Sequence, residues 1–553
     1  MGRWFILCTG VIATLFVIFH LTIGFNFEFL ESHLPAVLSG KVTNGHPLNM
    51  MYFSAHYPLA DWVYVPLYSR FEHYFPFYEA FMYTFMVCSG SIIAYVTHEK
   101  IKRLPGALYA LTAVTLVFVY FALTLNLQHT IVGFLLCTAA TSLLYLDPKG
   151  KTNRSKITIY ILPIILFTLG LFVRVQVGVF FAIINFVAFI LLRSTSREGK
   201  YVVFIFLLIT LTHYGLILKN RELSNDYCQK MDVVTGYQLM DRGNIVPLGE
   251  MHTYTDSVKY LSAINSISDP KYLTIKDIEA LIAHHPIFGV EKQYFVRAYN
   301  ILYNYFVDNK GLILLYLTIA TITLLSCKDD RKQLVRWILF NLFFWGLIAL
   351  VTYNIKMEFW LFRSAIFAMI VIHTINVKRT SAHNRLVSYI LLPVGVIALG
   401  MFCRQELKHF TTVKQRTYNN QAASALIASK CRDKIIVPGL SQSPIYMANF
   451  FPFEKPDFSV YRSIYYFDTD VLFWQLTYNE WVTRDCKCET GDVVSFMDYL
   501  SDNKAAYITT KDRIEKLQTY CSAIRKVDYT FTITDSLEYN NKLLYVFEIE
   551  SVQ

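Results

Sequence analysis

Long apolar runs recur along the chain, each about 16–22 residues and separated by short polar stretches. They fall at 4–24, 77–97, 106–126, 130–146, 157–173, 177–192, 201–218, 311–326, 337–353, 360–376 and 386–402. Twenty helical residues rise about 30 Å, the thickness of a bilayer's hydrocarbon core. Inside that core every backbone N–H and C=O needs an internal partner, which a helix supplies by itself. The pattern therefore predicts a polytopic α-helical membrane protein with about eleven transmembrane helices. The first run is "WFILCTGVIATLFVIFHLTIG". It exceeds a signal-peptide core of roughly 7–15 residues and is expected to stay as the first helix.

Composition agrees: the 553 residues are 54% hydrophobic and 17% charged. Soluble proteins carry about 25% charged residues. The net charge of +10 is not gathered into a nucleic-acid-binding patch. With the N-terminus cytoplasmic, the inner segments hold 18 basic residues and the short outer turns only Arg174, Lys356 and Arg363. That asymmetry fixes the expected orientation, because lysine and arginine stay on the cytoplasmic side.

Three longer segments then lie outside: a first loop 25–76, a second loop 219–310 and the tail 403–553. In the first, the aromatics of "DWVYVPLY", from Asp61 to Tyr68, suit a helix at headgroup level. In the second, "TIKDIEALIAHH" predicts a helix with Thr274 as N-cap. The tail alternates strand-like "KIIVPG", "AAYITT", "YTFTIT" and "LLYVFEIE" with helical "GDVVSFMDYLSD" and "KDRIEKLQTYCSAI". This predicts a soluble α/β domain over 403–553, behind a transmembrane domain over 1–402. The outer-side cysteines include the pair Cys486 and Cys488, which is too small a set for zinc. A disulfide, to Cys431 or Cys521, is expected instead.

Chemistry concentrates where the first span ends. "FNFEFLES" carries Glu28 and Glu31 three apart, on one face of any helix there. Their plain reading is two solvated charges closing a span; their functional reading is a general base at the outer surface. Arg174, in the outer turn "FVRVQVG", has the planar fork that grips phosphate oxygens. Lys356 and Arg363, in "NIKMEFWLFRSA", extend the outer cationic set; each alone is also explained by snorkelling to lipid headgroups. His56 and Asp61, in "SAHYPLADW", and His129, in "LNLQHT", are candidate substrate contacts. His213 and His373 fall on apolar spans and are expected to be satisfied by neighbouring helices.

An acid after the first span, then "FLESHLPAVLSGK", then a "YP…P" loop into the second span, resembles the GT-C superfamily of polyprenyl-phosphate-dependent glycosyltransferases. Protein O-mannosyltransferases and aminoarabinose transferases belong there. The tail stretch "YLSDNKAAYITTKDRIEKL" is similar to bacterial members. The resemblance covers the layout of most of the chain and the motifs of residues 25–70. It implies a sugar carried on a polyprenyl phosphate, an acceptor that is lipid, glycan or protein, and inverting transfer at the outer face of a bacterial inner membrane. A carboxylate after the first span would serve as base, which maps here to Glu28 or Glu31, with Glu28 nearer the span. Arg174, Lys356 and Arg363 would hold the donor phosphate. Family members mostly carry Asp where this chain has Glu-Phe-Leu-Glu, and often a second acid where this chain has His129. No cofactor and no metal ligand set is expected, with a divalent cation left open.

Other classes compete. A lipid-linked glycan polymerase or ligase would depend on the second loop, through Arg221, Arg242 or Arg297. A flippase or transporter would show internal repeats, broken helices or midplane charges, for which these spans offer few candidates. A non-enzymatic envelope protein would need none of the acids.

Overall fold

The computed structural model describes residues 2–27, 38, 58–71, 75–102, 104–146, 153–192, 197–221, 253–264, 272, 274, 276–277, 292–327, 330–354, 359–377, 385–431, 434–438, 452, 493–539 and 542–552. All eleven apolar runs are helices. They are α1 (Gly2–Thr22), α3 (Phe77–Ile101), α4 (Gly106–Thr124), α5 (His129–Leu144), α6 (Asn153–Val173), α7 (Val175–Leu192), α8 (Arg197–Arg221), α11 (Lys310–Ser326), α12 (Arg331–Asn354), α13 (Phe359–Ile375) and α14 (Arg385–Lys430). Among the described residues seven helices have the length and composition to cross a membrane. An eighth arises if α11 is counted with the helix before it, α10 (Lys292–Asp308), although the two meet at 84°. The apolar stretches 129–144, 160–173 and 359–375 are shorter.

The chain divides into two compact units. The first takes its described residues from Met1–Glu28, Glu79–Leu216 and Glu291–Lys414. Two of its short helices form its core: α5 and α13 are buried along nearly their whole length. Both are predominantly apolar on every side, as helices surrounded by other helices are, with Arg363 and His373 the charged or titratable exceptions in α13. α5 packs on α6, α7 and α13, and α13 packs on α4, α5 and α11. Two hydroxyls of α5 are satisfied within the helix: Thr138 Oγ1 donates to the Phe134 carbonyl (2.6 Å) and Ser142 Oγ to that of Thr138 (2.8 Å). His373 meets its expectation at one ring nitrogen, with Nε2 3.0 Å from Asn341 Oδ1 and the ring stacked on Trp337, while Nδ1 makes no hydrogen bond among the described residues.

The second unit takes its described residues from Phe29–Tyr78, Ile217–Val290 and Gln415–Gln553. A four-stranded sheet has the order β3–β4–β6–β5, with β3 (Ile436–Pro438), β4 (Ala506–Thr509), β5 (Tyr529–Tyr539) and β6 (Lys542–Ser551). β3 runs parallel to β4, whereas β4–β6 and β5–β6 are antiparallel. Helix α15 (Val493–Asp502) buries Val493, Phe496, Met497 and Leu500, an i, i+3, i+4, i+7 stripe. α16 (Lys511–Tyr520) starts at Thr510, whose side chain accepts from the Arg513 N–H. The predicted strands and helices of the tail thus appear where the alternation put them.

Two expectations are revised. The last helix does not stop near 402: α14 continues to Lys430, and its residues through Lys414 belong to the first unit. The tail also does not stand alone. Helix α9 (Tyr254–Ile264), from the second loop, packs on α16, and Arg525 lies 4.3 Å over the Tyr272 ring. Nearby, Thr274 Oγ1 accepts from the Asp277 N–H (3.4 Å), the expected cap, while its own N–H and hydroxyl donate to Asp277 Oδ2 at 2.7 Å; beyond residue 277 the predicted helix lies outside the described residues.

The aromatics of the first loop behave differently from the headgroup-level reading. Residues Ala60–Tyr64 form a π-helical turn running into α2 (Val65–Arg70), and Trp62 is exposed. Tyr64 and Tyr68 are buried instead: Tyr64 packs on Tyr78, and Tyr68 Oη accepts from the Tyr78 N–H (3.1 Å). They close a local cluster.

Candidate functional site

The first helix ends by a sharp backbone device. The N–H groups of Ile23 and Gly24 both donate to the Phe19 carbonyl (2.9 and 3.0 Å). Gly24 takes a φ of +83°. Glycine adopts that left-handed conformation without strain. Beyond it Asn26–Phe27 (β1) pairs in parallel with Asn126–Leu127 (β2), at the end of α4. Asn26 is fully buried, and its Nδ2 donates to the Phe410 carbonyl (3.3 Å) and to Asn126 Oδ1 (3.5 Å). Lys414 Nζ donates to the Ile23 carbonyl (2.7 Å). Phe25 packs among Phe16, His20 and Tyr83. The chain leading into the acid pair is therefore tied to the β2 turn on one side and to α14 on the other.

Glu28 and Glu31 themselves lie outside the described residues, as do His56 and Lys356; of Asp61 only the backbone, in the π turn, is described. His129 opens α5, half-buried, two residues after β2. Arg174, also half-buried, breaks the path between α6 and α7; its N–H donates to the Gly170 carbonyl (3.0 Å) and its carbonyl accepts from Val177 and Gly178. A Cβ on Gly133, one turn beyond His129, would lie 3.4 Å from Arg174 Cβ. The β1–β2 ladder, His129 and Arg174 thus occupy one end of the first unit.

Arg363 belongs to that end but not to its surface. It is not in an outer turn: it sits one turn inside α13, fully buried, and its Nη2 is ion-paired to Glu406 of α14. Its guanidinium lies 5.2 Å from the Phe359 ring centroid and 4.8 Å from that of Trp360. Trp360 in turn meets His409, beside the Phe410 that holds Asn26. Burial of an arginine requires such a partner, because an unpaired guanidinium in low dielectric costs several kcal/mol. Its Nε and Nη1 make no hydrogen bond among the described residues.

Two acids escaped the sequence reading. Glu406 falls just past the predicted last span, where it looked like the start of the tail. Glu79 lies in the first turn of α3 and is 1% exposed, one helical turn from Tyr83 and so near Phe25. A carboxylate at a helix N-terminus is favoured by the helix dipole, and "PFYEAF", an acid at the mouth of an apolar run, was the available signal. No three histidine, cysteine or acidic side chains come together as a metal site among the described residues. No protein-family model, curated protein or solved structure matches the chain.

Proposed function

We propose that the chain is an integral-membrane glycosyltransferase that moves a sugar from a polyprenyl-phosphate donor to a lipid, glycan or protein acceptor at the outer face of a bacterial inner membrane. In this reading α5, α6, α11 and α13 cross as well, giving eleven crossings with the N-terminus inside. Glu28 or Glu31 takes the acceptor hydroxyl proton. The acceptor oxygen bonds to the anomeric carbon from the face opposite the lipid phosphate, the bond to the phosphate oxygen breaks, and the product is inverted. The cationic groups Arg174 and Lys356 neutralise the departing phosphate. The Nε and Nη1 of Arg363, which make no hydrogen bond among the described residues, are available behind them.

One observation carries the reading. The backbone immediately before Glu28 is pinned to the turn that opens onto His129 and to the α14 segment that neutralises Arg363. A catalytic base works when its surroundings fix its geometry, and this anchoring supplies a fixed point for the acids that follow. A solvated span end would need no such tether.

The test is reconstitution in liposomes with a polyprenyl-phosphate sugar, following release of the lipid phosphate. Glu28→Gln or Glu31→Gln should lower turnover about 100-fold or more, the contribution of a general base, with unchanged membrane insertion. Full activity in both variants would end the proposal.

A further inference from the structure

We infer that α10 lies flat in the lipid headgroup region, as a side anchor of the bundle in the membrane surface. Three sets of residues divide its circumference. Phe295, Val296, Tyr299, Tyr303, Phe306 and Val307 are exposed. At about 100° per residue, their side chains fall within one arc of about 120°. Asn300 and Asn304 are exposed too. They fall beside that arc, at about 140° and about 180° counted from Phe295. Ala298 and Tyr305 occupy the remaining side. Ala298 is buried, and the Tyr305 ring meets Phe359 and Phe362 of α13 at 5.7 and 5.4 Å. The seam with α12 is closed by Phe295 against Tyr353 (4.9 Å) and Phe306 against Trp345 (5.3 Å).

Geometry selects the occupant of the apolar arc. α10 joins α11 at 84°, across the single residue Asn309. A helix set square to a membrane-crossing neighbour runs in the membrane plane. α11 has 17 residues. That is the lower limit for a crossing, so α10 is not needed to complete the span. Counting α10 into the span instead would sink Asn300 and Asn304 in hydrocarbon. Lying flat, the helix offers the sector of Ala298 and Tyr305, with the Phe295 and Phe306 edge of the arc, to the bundle, the asparagines to water and the rest of the arc, Val296, Tyr299, Tyr303 and Val307, to lipid. Tyrosine suits that depth, because its ring is apolar and its hydroxyl polar. The rings of Tyr299 and Tyr303 lie side by side, 6.1 Å apart and 21° from parallel. The partner is thus the interfacial layer of the bilayer. The inference rests on α11 crossing a membrane and not on sugar transfer, so it stands or falls separately from the proposed activity.

The experiment uses the full chain with Tyr299→Cys, Tyr303→Cys or Asn304→Cys, all exposed positions that tolerate a small side chain. Each is reconstituted in phospholipid vesicles opened so that a water-soluble maleimide reaches both faces, and labelling is read on the peptide by mass spectrometry. A thiol must ionise to react, and ionisation is suppressed in an apolar setting. Asn304→Cys should label at similar rates in vesicles and in detergent. Tyr299→Cys and Tyr303→Cys should label at least about tenfold more slowly than Asn304→Cys in vesicles, whatever the protein-to-lipid ratio. Equal rates at all three positions would leave the helix in water and overturn the inference. Protection of Asn304→Cys as well would make α10 part of a broken span. Protection that disappears on dilution with lipid would assign the aromatic face to a second copy of the chain. Either result also overturns it.

Discussion

Asn26 and Asn126 face each other in a parallel ladder only two residues long, although 100 residues separate them in the chain. The ladder is too short to stand alone. It holds because the Asn26 side chain is buried and reaches a third segment, at the Phe410 carbonyl. Asn26→Ala should therefore lower stability by about 0.5–1.5 kcal/mol, the net worth of the lost hydrogen bond, seen as a lower unfolding temperature in detergent. Asn126→Ala loses only the longer 3.5 Å contact and should cost less. If the two variants behave alike, the anchor to α14 is not what matters.

The Arg363–Glu406 pair gives a sharper contrast. Arg363→Met alone leaves a buried carboxylate uncompensated and should destabilise by about 3–5 kcal/mol. Adding Glu406→Leu removes that charge and should restore most of the loss, as measured by denaturation of the purified protein. A double variant no better than the single one would mean the pair does not govern packing. Sugar transfer by the restored double variant reports separately whether Arg363 also serves the donor phosphate.

Gly311 opens a close helix crossing. A Cβ there would stand 2.7 Å from the Phe402 Cα and 3.0 Å from the Ala398 carbonyl oxygen. Backbone atoms cannot step aside, so Gly311→Ala should cost about 1–3 kcal/mol. Gly346, in α12, has open space in the same position. Gly346→Ala should stabilise by about 0.5–1 kcal/mol through helix propensity. Thermal unfolding of the two variants side by side decides between crowding and a general intolerance of substitution.

Asp277 gives the second unit a pH signature. Partial burial pushes its carboxyl up, but hydrogen bonds from the Thr274 hydroxyl and N–H, together with Lys259, outweigh this and hold it below the ordinary value. Because the folded value is the lower one, the stabilisation is complete above about 3.9, the value of a free aspartate, and disappears as pH falls through the depressed value. Amide exchange in α9, corrected for its intrinsic pH dependence, should stay level from pH 7 to 5 and accelerate below about 4. In Asp277→Asn that acid step should be missing. An unchanged step would place the sensitive group elsewhere.

The helices and the tail's sheet were legible because each rests on a long local pattern, twenty apolar residues or a period-two strand. Thr274 was legible for the same reason, since a cap and its partner lie three residues apart. The ladder at Asn26 was not: two residues carry no periodicity, and their partner is a hundred residues away. Arg363 was misplaced because a cation near a span end looks the same whether it faces lipid or a carboxylate. Its partner, Glu406, fell in what the hydropathy pattern marked as tail. The full length of α14 was hidden likewise: beyond residue 402 the sequence turns polar, while the helix continues. α10 gave no run of apolar residues, because only part of its circumference is apolar.

The buried charge pair also constrains how the protein is made. The ribosome delivers α13 before α14, so Arg363 emerges while the carboxylate that neutralises it has yet to be synthesised. Until Glu406 arrives, a helix bearing a lone cation has no stable resting place in hydrocarbon. In the proposed eleven-crossing arrangement the final seating of α13 must then wait for α14, and the two settle as a matched couple.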